Sequence, residues 1–407
     1  MNNNGVSGLG CALVDYLYPD TDFASPQVKP LQSVSRFDGG LIPGGLVFTD
    51  DLERFSGLSV EKLLPMISGG TSYRTVNLGG PAAVAMVHCS QMLEGLPVDV
   101  AFYGRMGNDT GADTIRSILS GMPLDWSNYL SVPGETPCTH VFSDPRYDAG
   151  RGERMFLNSI GVAGQYSVED VPDSFFDSRI HLFAATALLP EVHDHLDTIL
   201  RKGREKRGIN IVTTVYDFRN ASRYPGKRWS MGRNDDTWQL IDCLITDREE
   251  ALNLSGATTI DDAMRFFSDM GVSTSIITHG PQPVHLKSTG GVFGAAEYTQ
   301  LSVCDFTGDN KATAGDTTGC GDNFAGGVLA SVAYQLYMLK RPVVDLTTAV
   351  AWGIASGGFA CSYLGGTYAE TSSGEKRERV SAALERYLGQ QLRSIEAVHG
   401  EFHIPER

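Results

Sequence analysis

The sequence predicts an α/β protein built on a doubly wound, mostly parallel sheet. Two observations predict it. From Gly79 onward, strand-length apolar runs alternate with segments of helical period, the pattern of a parallel sheet covered on both faces. Ahead of that run, from about Pro26 to Thr75, repeated Gly and Pro break the pattern, which marks an insertion or lid region outside the main sheet. In such sheets ligands collect at the carboxyl ends of the strands.

Taken in order, Gly8 to Tyr18 (GLGCALVDYLY) reads as one buried opening strand that carries an acid near its end. Within the insertion only Asp50 to Phe55 has a helical pattern. The alternation then predicts helix Ala82 to Leu93, strand Val98 to Tyr103 and helix Thr110 to Leu119. Cys138 to Asp144 and Arg154 to Asn158 form a strand pair around the Gly150 to Gly152 turn. Strands follow at Ile180 to Ala184, Ile209 to Tyr216, Cys243 to Thr246 and Ser275 to Thr278, with a hairpin region to Val303. Between them lie helices Val192 to Lys206, Trp238 to Leu240, Arg248 to Leu254 and Ile260 to Met270. Helices Phe324 to Leu339, Leu346 to Tyr363 and Arg377 to His399 close the chain, and no internal repeat is visible.

Composition narrows the function. The 407 residues are 42% apolar and 20% charged, ordinary for a folded domain with a sizeable core. A net charge of −15 repels a phosphate backbone and argues against a nucleic-acid partner. The seven cysteines contain no C-x-x-C pair, so reduced thiols in a cytoplasm are expected. Met1 to Gly10 has neither a basic region nor an apolar run, so no secretory signal is expected. Thr347 to Gly366 is uncharged, but its glycines and serines make it a buried packing helix, and no membrane partner is expected.

The most informative segment is AGDTTGCGDNFAGG, Ala314 to Gly327. Two glycines flank one small residue, an acid follows, and an apolar helix opens with Phe324, Val328, Val332 and Leu336 on one face. Gly319 and Gly321 allow a tight turn whose backbone N–H groups converge at the positive end of the helix dipole, a site for a transferring phosphoryl group. Asp322, in the first turn beside it, is placed to accept a proton from an attacking hydroxyl.

GDTTGCGDNFAGG resembles the second signature of the ribokinase, or phosphofructokinase-B, family of carbohydrate and nucleoside kinases, with Cys320 where Ala is usual. The resemblance implies a ribokinase-like fold with a small β lid, one kinase domain over 1–407, with lid and insertion elements drawn from about 16–78 and 132–160. It implies ATP-dependent phosphorylation of a hydroxyl on a sugar or nucleoside. Asp322 is then the general base, and the amides of Gly319, Cys320 and Gly321 form the anion hole. Asp316 and Thr318 become candidates for a bound monovalent cation such as K+.

Other segments follow the family's order. GCALVD resembles the opening strand, whose Asp15 would bind substrate hydroxyls, a task suited to a carboxylate that accepts two hydrogen bonds. LGGPAAVA resembles the first signature through Gly79 and Gly80, although Ala83 replaces the sugar-contacting Asn. YGRMGNDTG, GERMF and VYDFR resemble further family segments, which makes Arg154 a substrate-binding candidate and Arg105 and Arg219 candidates for an anionic substrate group. DREE resembles the motif that positions Mg²⁺ through water, with Glu250 and Asp247 as the acids. IITHG resembles the turn that packs against the nucleotide, so ATP is expected near Thr278, Gly280 and the Ser356 to Ser362 helix, with Thr317 a further cofactor-binding candidate.

Two other readings remain open in the sequence. One is an inactive ribokinase-like ligand-binding regulator, favoured by Ala83 and Asp247. The other is a sugar-phosphate kinase, which needs a second anion pocket from Arg105, Arg154 and Arg219. The resemblance implies lid-to-lid homodimers as one assembly, and the sequence leaves oligomeric state and substrate open. There is no G-x-x-x-x-G-K-[ST], H-E-x-x-H or protein-kinase H-R-D set.

Overall fold

The computed structural model describes residues 4–150, 152–303 and 317–400, with side chains through residue 391. Its large sheet has nine strands: β1 Gly5–Leu9, β5 Asp99–Met106, β6 Tyr129–Ser131, β9 Ile180–Ala184, β10 Ile209–Thr213, β11 Cys243–Asp247, β12 Thr274–His279, β13 Gln282–Ser288 and β14 Ala296–Leu301. Their spatial order is β14-β13-β12-β11-β10-β9-β1-β5-β6, with antiparallel pairing only where β12, β13 and β14 meet. Strand order reverses at β1, between β9 and β5, so the carboxyl end of β1 opens on a natural binding crevice.

The period-two alternation of the strands divides the core. Val6, Phe102, Leu182, Ile211 and Ile276 pack into one buried cluster, while Leu9, Tyr103, Phe183, Val212 and Ile277 pack into another. Helices Pro81–Leu93, Cys320–Ala333 and Leu346–Ala360 cover the first face. Leu196–Glu205, Arg248–Ser255 and Ile260–Asp269 cover the second. This is a doubly covered α/β sheet, as the alternation predicts.

A second, five-stranded sheet joins β2 Leu13–Tyr18, β3 Leu46–Phe48, β4 Thr75–Gly79, β7 Cys138–Asp144 and β8 Glu153–Ser159 in the order β3-β8-β7-β2-β4. Here the opening strand is corrected. Gly8 to Tyr18 is two strands in two sheets, because the chain leaves β1 at Leu9 and re-enters pairing at Leu13. The crossing at Gly10 is crowded: a Cβ there would lie 2.3 Å from the Ala82 Cβ. Asp15 therefore sits on the smaller sheet, above the β1 crevice, not at the tip of a large-sheet strand.

The insertion contains two helices, Thr49–Ser56 and Val60–Ile67, besides strand β3. Their Leu52, Leu63 and Ile67 pack on Tyr18, Phe142, Met155 and Leu157 of the smaller sheet, forming a third apolar cluster. The apolar stretch at Thr347 to Gly366 becomes the buried Leu346–Ala360 helix and a loop, and no helix among the described residues is long and apolar enough to cross a membrane.

Candidate active site

The predicted turn opens the Cys320–Ala333 helix, with Gly319 as its N-cap at φ 72°. A Cβ at Gly319 would lie 2.7 Å from the Gly366 Cα, so both the left-handed backbone and the close approach require glycine. The helix has no polar face. Gly326 lies against the Ala85 carbonyl and Gly327 against Ser356, and every residue from Asn323 to Ala333 is buried. The predicted stripe Phe324, Val328, Val332 and Leu336 packs in one core cluster, but burial extends beyond it: two neighbouring helices approach so closely that the whole circumference is core, and Leu336 lies in the π-turn Tyr334–Met338 that continues the helix. This close packing gives the turn a rigid base.

The Cys320 N–H donates to the Thr317 carbonyl at 3.3 Å. Among the described residues the N–H groups of Gly319, Gly321 and Asp322 have no partner, so two of the three predicted donors stay open, Cys320 is taken up, and Asp322 adds a further open amide. A Cβ on Gly321 would meet nothing within 4 Å, which leaves open space in front of these donors. The Cys320 Sγ lies 3.2 Å from the Cys361 Sγ.

Asp322 is partly exposed at the base of the crevice. No hydrogen bond or ion pair ties its carboxylate to another described residue, and desolvation pushes it up to about 6. Cys11, in the crossing between β1 and β2, links it to Asp15. Burial pushes that thiol up to about 12, and the Asp322 and Asp15 carboxylates add to the effect. Both acids therefore act on the same buried thiol.

Asp15 is buried on β2, opposite Asn77 of β4 and Thr139 of β7. A Cβ on Gly79 would lie 2.1 Å from its Oδ2, so the bare glycine gives the carboxylate its room. Gly80 starts the Pro81–Leu93 helix at φ 93°, with a Cβ position 2.5 Å from the Cys11 carbonyl. Ala83 is buried in that helix and brings no polar group. Arg154 of β8 reaches across to the turn: its guanidinium donates to Thr317 Oγ1 at 2.7 Å and to Thr318 Oγ1. The two other candidate arginines are committed elsewhere, Arg105 to Asp170 and Arg219 to Asp194. Asp316 lies outside the described residues.

On the far side, Glu250 is buried at the start of the Arg248–Ser255 helix, where it bonds Thr214 Oγ1 and forms a reciprocal cap with Asp247. Burial and then the Asp247 charge push its carboxyl up to about 8, and Asp322 adds a smaller push. This donor set fits a hard divalent cation, which would restore the carboxylate charge. No cluster of three or more His, Cys, Asp or Glu among the described residues is arranged as a dedicated metal site. Thr278 Oγ1 approaches the Thr246 carbonyl at 3.5 Å, and Thr317 is exposed. Gly280 turns β12 into β13 at φ 53° and faces open space, so its backbone turn, not close packing, calls for glycine.

A family model described as pfkB family carbohydrate kinase matches residues 60–372. The chain belongs to that family. This pfkB kinase is a phosphotransferase with an alcohol group as acceptor, and membership implies ATP as donor, typically with Mg²⁺. It is 22% identical over 290 residues to a fructokinase from Rhizobium leguminosarum bv. trifolii, covering 70% of this chain and 82% of that one. Among solved structures it resembles an adenosine kinase from Sinorhizobium meliloti (TM-score 0.66, 16% identity, 93% of this chain and 99% of that one). It also resembles a ribokinase from Thermotoga maritima (TM-score 0.57, 18% identity, 93% and 99%). The kinase thus has the ribokinase-like fold.

The sequence misses two residues beside this site. Asn323 follows the base directly, but in GDNF it reads as an unremarkable helix position. Lys376 lies in a charged segment, EKRER, that reads as solvated helix, yet its side chain is only 1% exposed. No periodicity signal separates it from its exposed neighbours.

Proposed function

We propose that the kinase transfers the γ-phosphoryl group of ATP to a hydroxyl of a sugar or nucleoside, with Asp322 as general base. The observation that carries this is a carboxylate with no partner among the described residues, beside the open amides of Gly319, Gly321 and Asp322 at the helix N-terminus. Asp15 holds the acceptor's hydroxyls and orients one toward the transferred phosphorus. Asp322 takes that hydroxyl's proton as the oxygen attacks, and the amides at the turn receive the charge that develops on the phosphoryl oxygens. Arg154, bonded to Thr317 and Thr318, joins the smaller sheet to the turn and excludes water from the crevice when the lid is down. Glu250 and Asp247 would hold Mg²⁺, which would supply positive charge to the phosphates when bound. Thr278, Gly280 and Thr317 would border the nucleotide, and Asp316 with Thr318 would be the residues to hold a monovalent cation.

The fructokinase and adenosine kinase likenesses support both acceptor classes, so the test is a panel. Purified protein is incubated with Mg·ATP and individual hexoses, pentoses and nucleosides, and phosphorylated product is detected by mass. Acceptor-dependent product is expected. ATP binding with no product from any acceptor would favour the inactive regulator. A sugar-phosphate acceptor has less support, because Arg105 and Arg219 are paired with acids away from the turn.

Two substitutions refine the assignment. Asp15→Asn is expected to lower kcat/KM for the acceptor about 10- to 100-fold with KM for ATP unchanged, the usual cost of losing a charge-assisted hydrogen bond. Glu250→Gln is expected to raise the Mg²⁺ concentration for half-maximal turnover by about 10-fold, leaving acceptor KM unchanged. Titrating Mg²⁺ at fixed ATP measures this.

A further inference from the structure

Directly behind the Gly-Cys-Gly turn lies a buried amide whose nitrogen and oxygen are both hydrogen-bonded. Asn323 is fully buried. Its Nδ2 donates to the Gly319 carbonyl at 2.8 Å and to the Gly366 carbonyl at 2.9 Å. Its Oδ1 accepts from Lys376 Nζ at 3.0 Å, and the Tyr363 hydroxyl, 3.2 Å away, shares its one proton between this oxygen and the Gly366 carbonyl at 3.3 Å. The chain of contacts from Lys376 therefore ends on the residue that caps the helix bearing Asp322.

The lysine is expensive where it stands. It is 1% exposed and makes no ion pair among the described residues. It occupies the first turn of the Glu375–Gly400 helix, the end at which a cation is disfavoured. The Tyr363 ring lies 6.0 Å from its Nζ, and the Glu370 carboxylate, which accepts the Lys376 backbone N–H at 2.6 Å, favours its charged form. His88 faces it from the Pro81–Leu93 helix and is itself held neutral by burial and by the Lys376 charge. Burial lowers the ammonium to about 7. A methionine would fill the same space without these costs.

We propose that Lys376 is a positioning residue for phosphoryl transfer, acting through Asn323, whose side-chain amide joins its own backbone N–H (2.8 Å) in holding the Gly319 carbonyl and so aims the open amides of the turn. Lys376 Nζ can only donate and the two glycine carbonyls can only accept, so the amide of Asn323 is held with Oδ1 toward the lysine and Nδ2 toward the carbonyls. The Gly366 bond carries the same restraint to the loop beside the acceptor site, where Thr367 Oγ1 donates to the Leu78 carbonyl and Asn77 Nδ2 donates to the Leu364 carbonyl. The anion-binding turn and the Gly79–Gly80 turn are thereby referenced to one amide. The inference rests on the kinase reading above.

The test compares wild type, Lys376→Met, Lys376→Gln, Asn323→Ala and the Lys376→Met/Asn323→Ala double variant, using the best acceptor of the panel. Lys376→Met is expected to lower kcat about 30-fold, with KM for ATP and acceptor within about threefold and thermal stability kept, since small misplacements of catalytic groups act on kcat. Lys376→Gln, which keeps a donor toward Asn323, is expected to recover most of the loss, and it serves as the probe should the methionine variant fail to fold. The double variant is expected to be no slower than the slower single variant, as for residues acting in one chain. A Lys376→Met kcat within about threefold of wild type, or losses that multiply in the double variant, would overturn the proposal. A wild-type protein that phosphorylates nothing would instead remove the kinase reading itself.

Discussion

Asp322→Asn is expected to cut turnover by about 10³-fold while ATP binding is retained, as measured by acceptor-dependent ADP release and by nucleotide titration. The amide is nearly isosteric and leaves the helix cap untouched, because no described residue bonds the Asp322 carboxylate. What it removes is the capacity to take a proton. The substitution also separates chemistry from folding. A carboxyl whose folded pKa is raised to about 6 contributes stability at low pH that is lost as pH rises through 6. The asparagine variant has no such loss, so at pH 7 to 8 it should be at least as stable as wild type. An inactive but stable variant is the expected pair of results.

Gly319→Ala is the second large effect. The residue sits at φ 72°, and its added Cβ would fall 2.7 Å from the Gly366 Cα, a backbone atom that cannot swing aside. The turn must shift, and kcat is expected to fall about 10²-fold, in the range for a lost oxyanion donor. Gly321→Ala makes the contrast. Its Cβ meets no protein atom within 4 Å, so thermal stability should be unchanged while the methyl group enters the space in front of the amides. The two glycines of one motif are thus required for different reasons, one for the backbone and one for the ligand. Thermal melts alongside kcat distinguish them.

How far the sequence carried this reading differs by feature. The alternation of strands and helices located the large sheet because each buried strand is a short apolar run, as β9 (IHLFA) and β10 (INIVT) show. The Gly-Cys-Gly-Asp turn was legible because its geometry demands glycine, and glycine is visible in a sequence. The split of Gly8 to Tyr18 into two strands was not, since apolar residues continue through the crossing and only packing at Gly10 reveals it. Nor was the role of the insertion, whose Leu52, Leu63 and Ile67 find their partners in strands that come before and long after them. Lys376 was hidden for a related reason. Its burial depends on where the Glu375–Gly400 helix docks, a tertiary fact with no local pattern.

The identity of the base is tested most directly by the dependence of kcat/KM on pH between about 4.5 and 8 in wild type and in Asp322→Asn. The recessed carboxylate must be ionised to accept a proton, so activity should rise with pH and level off above an apparent pKa of about 6. That limb should vanish from the residual activity of the variant. A limb that persists unchanged in Asp322→Asn, or a variant as active as wild type, would contradict the assignment.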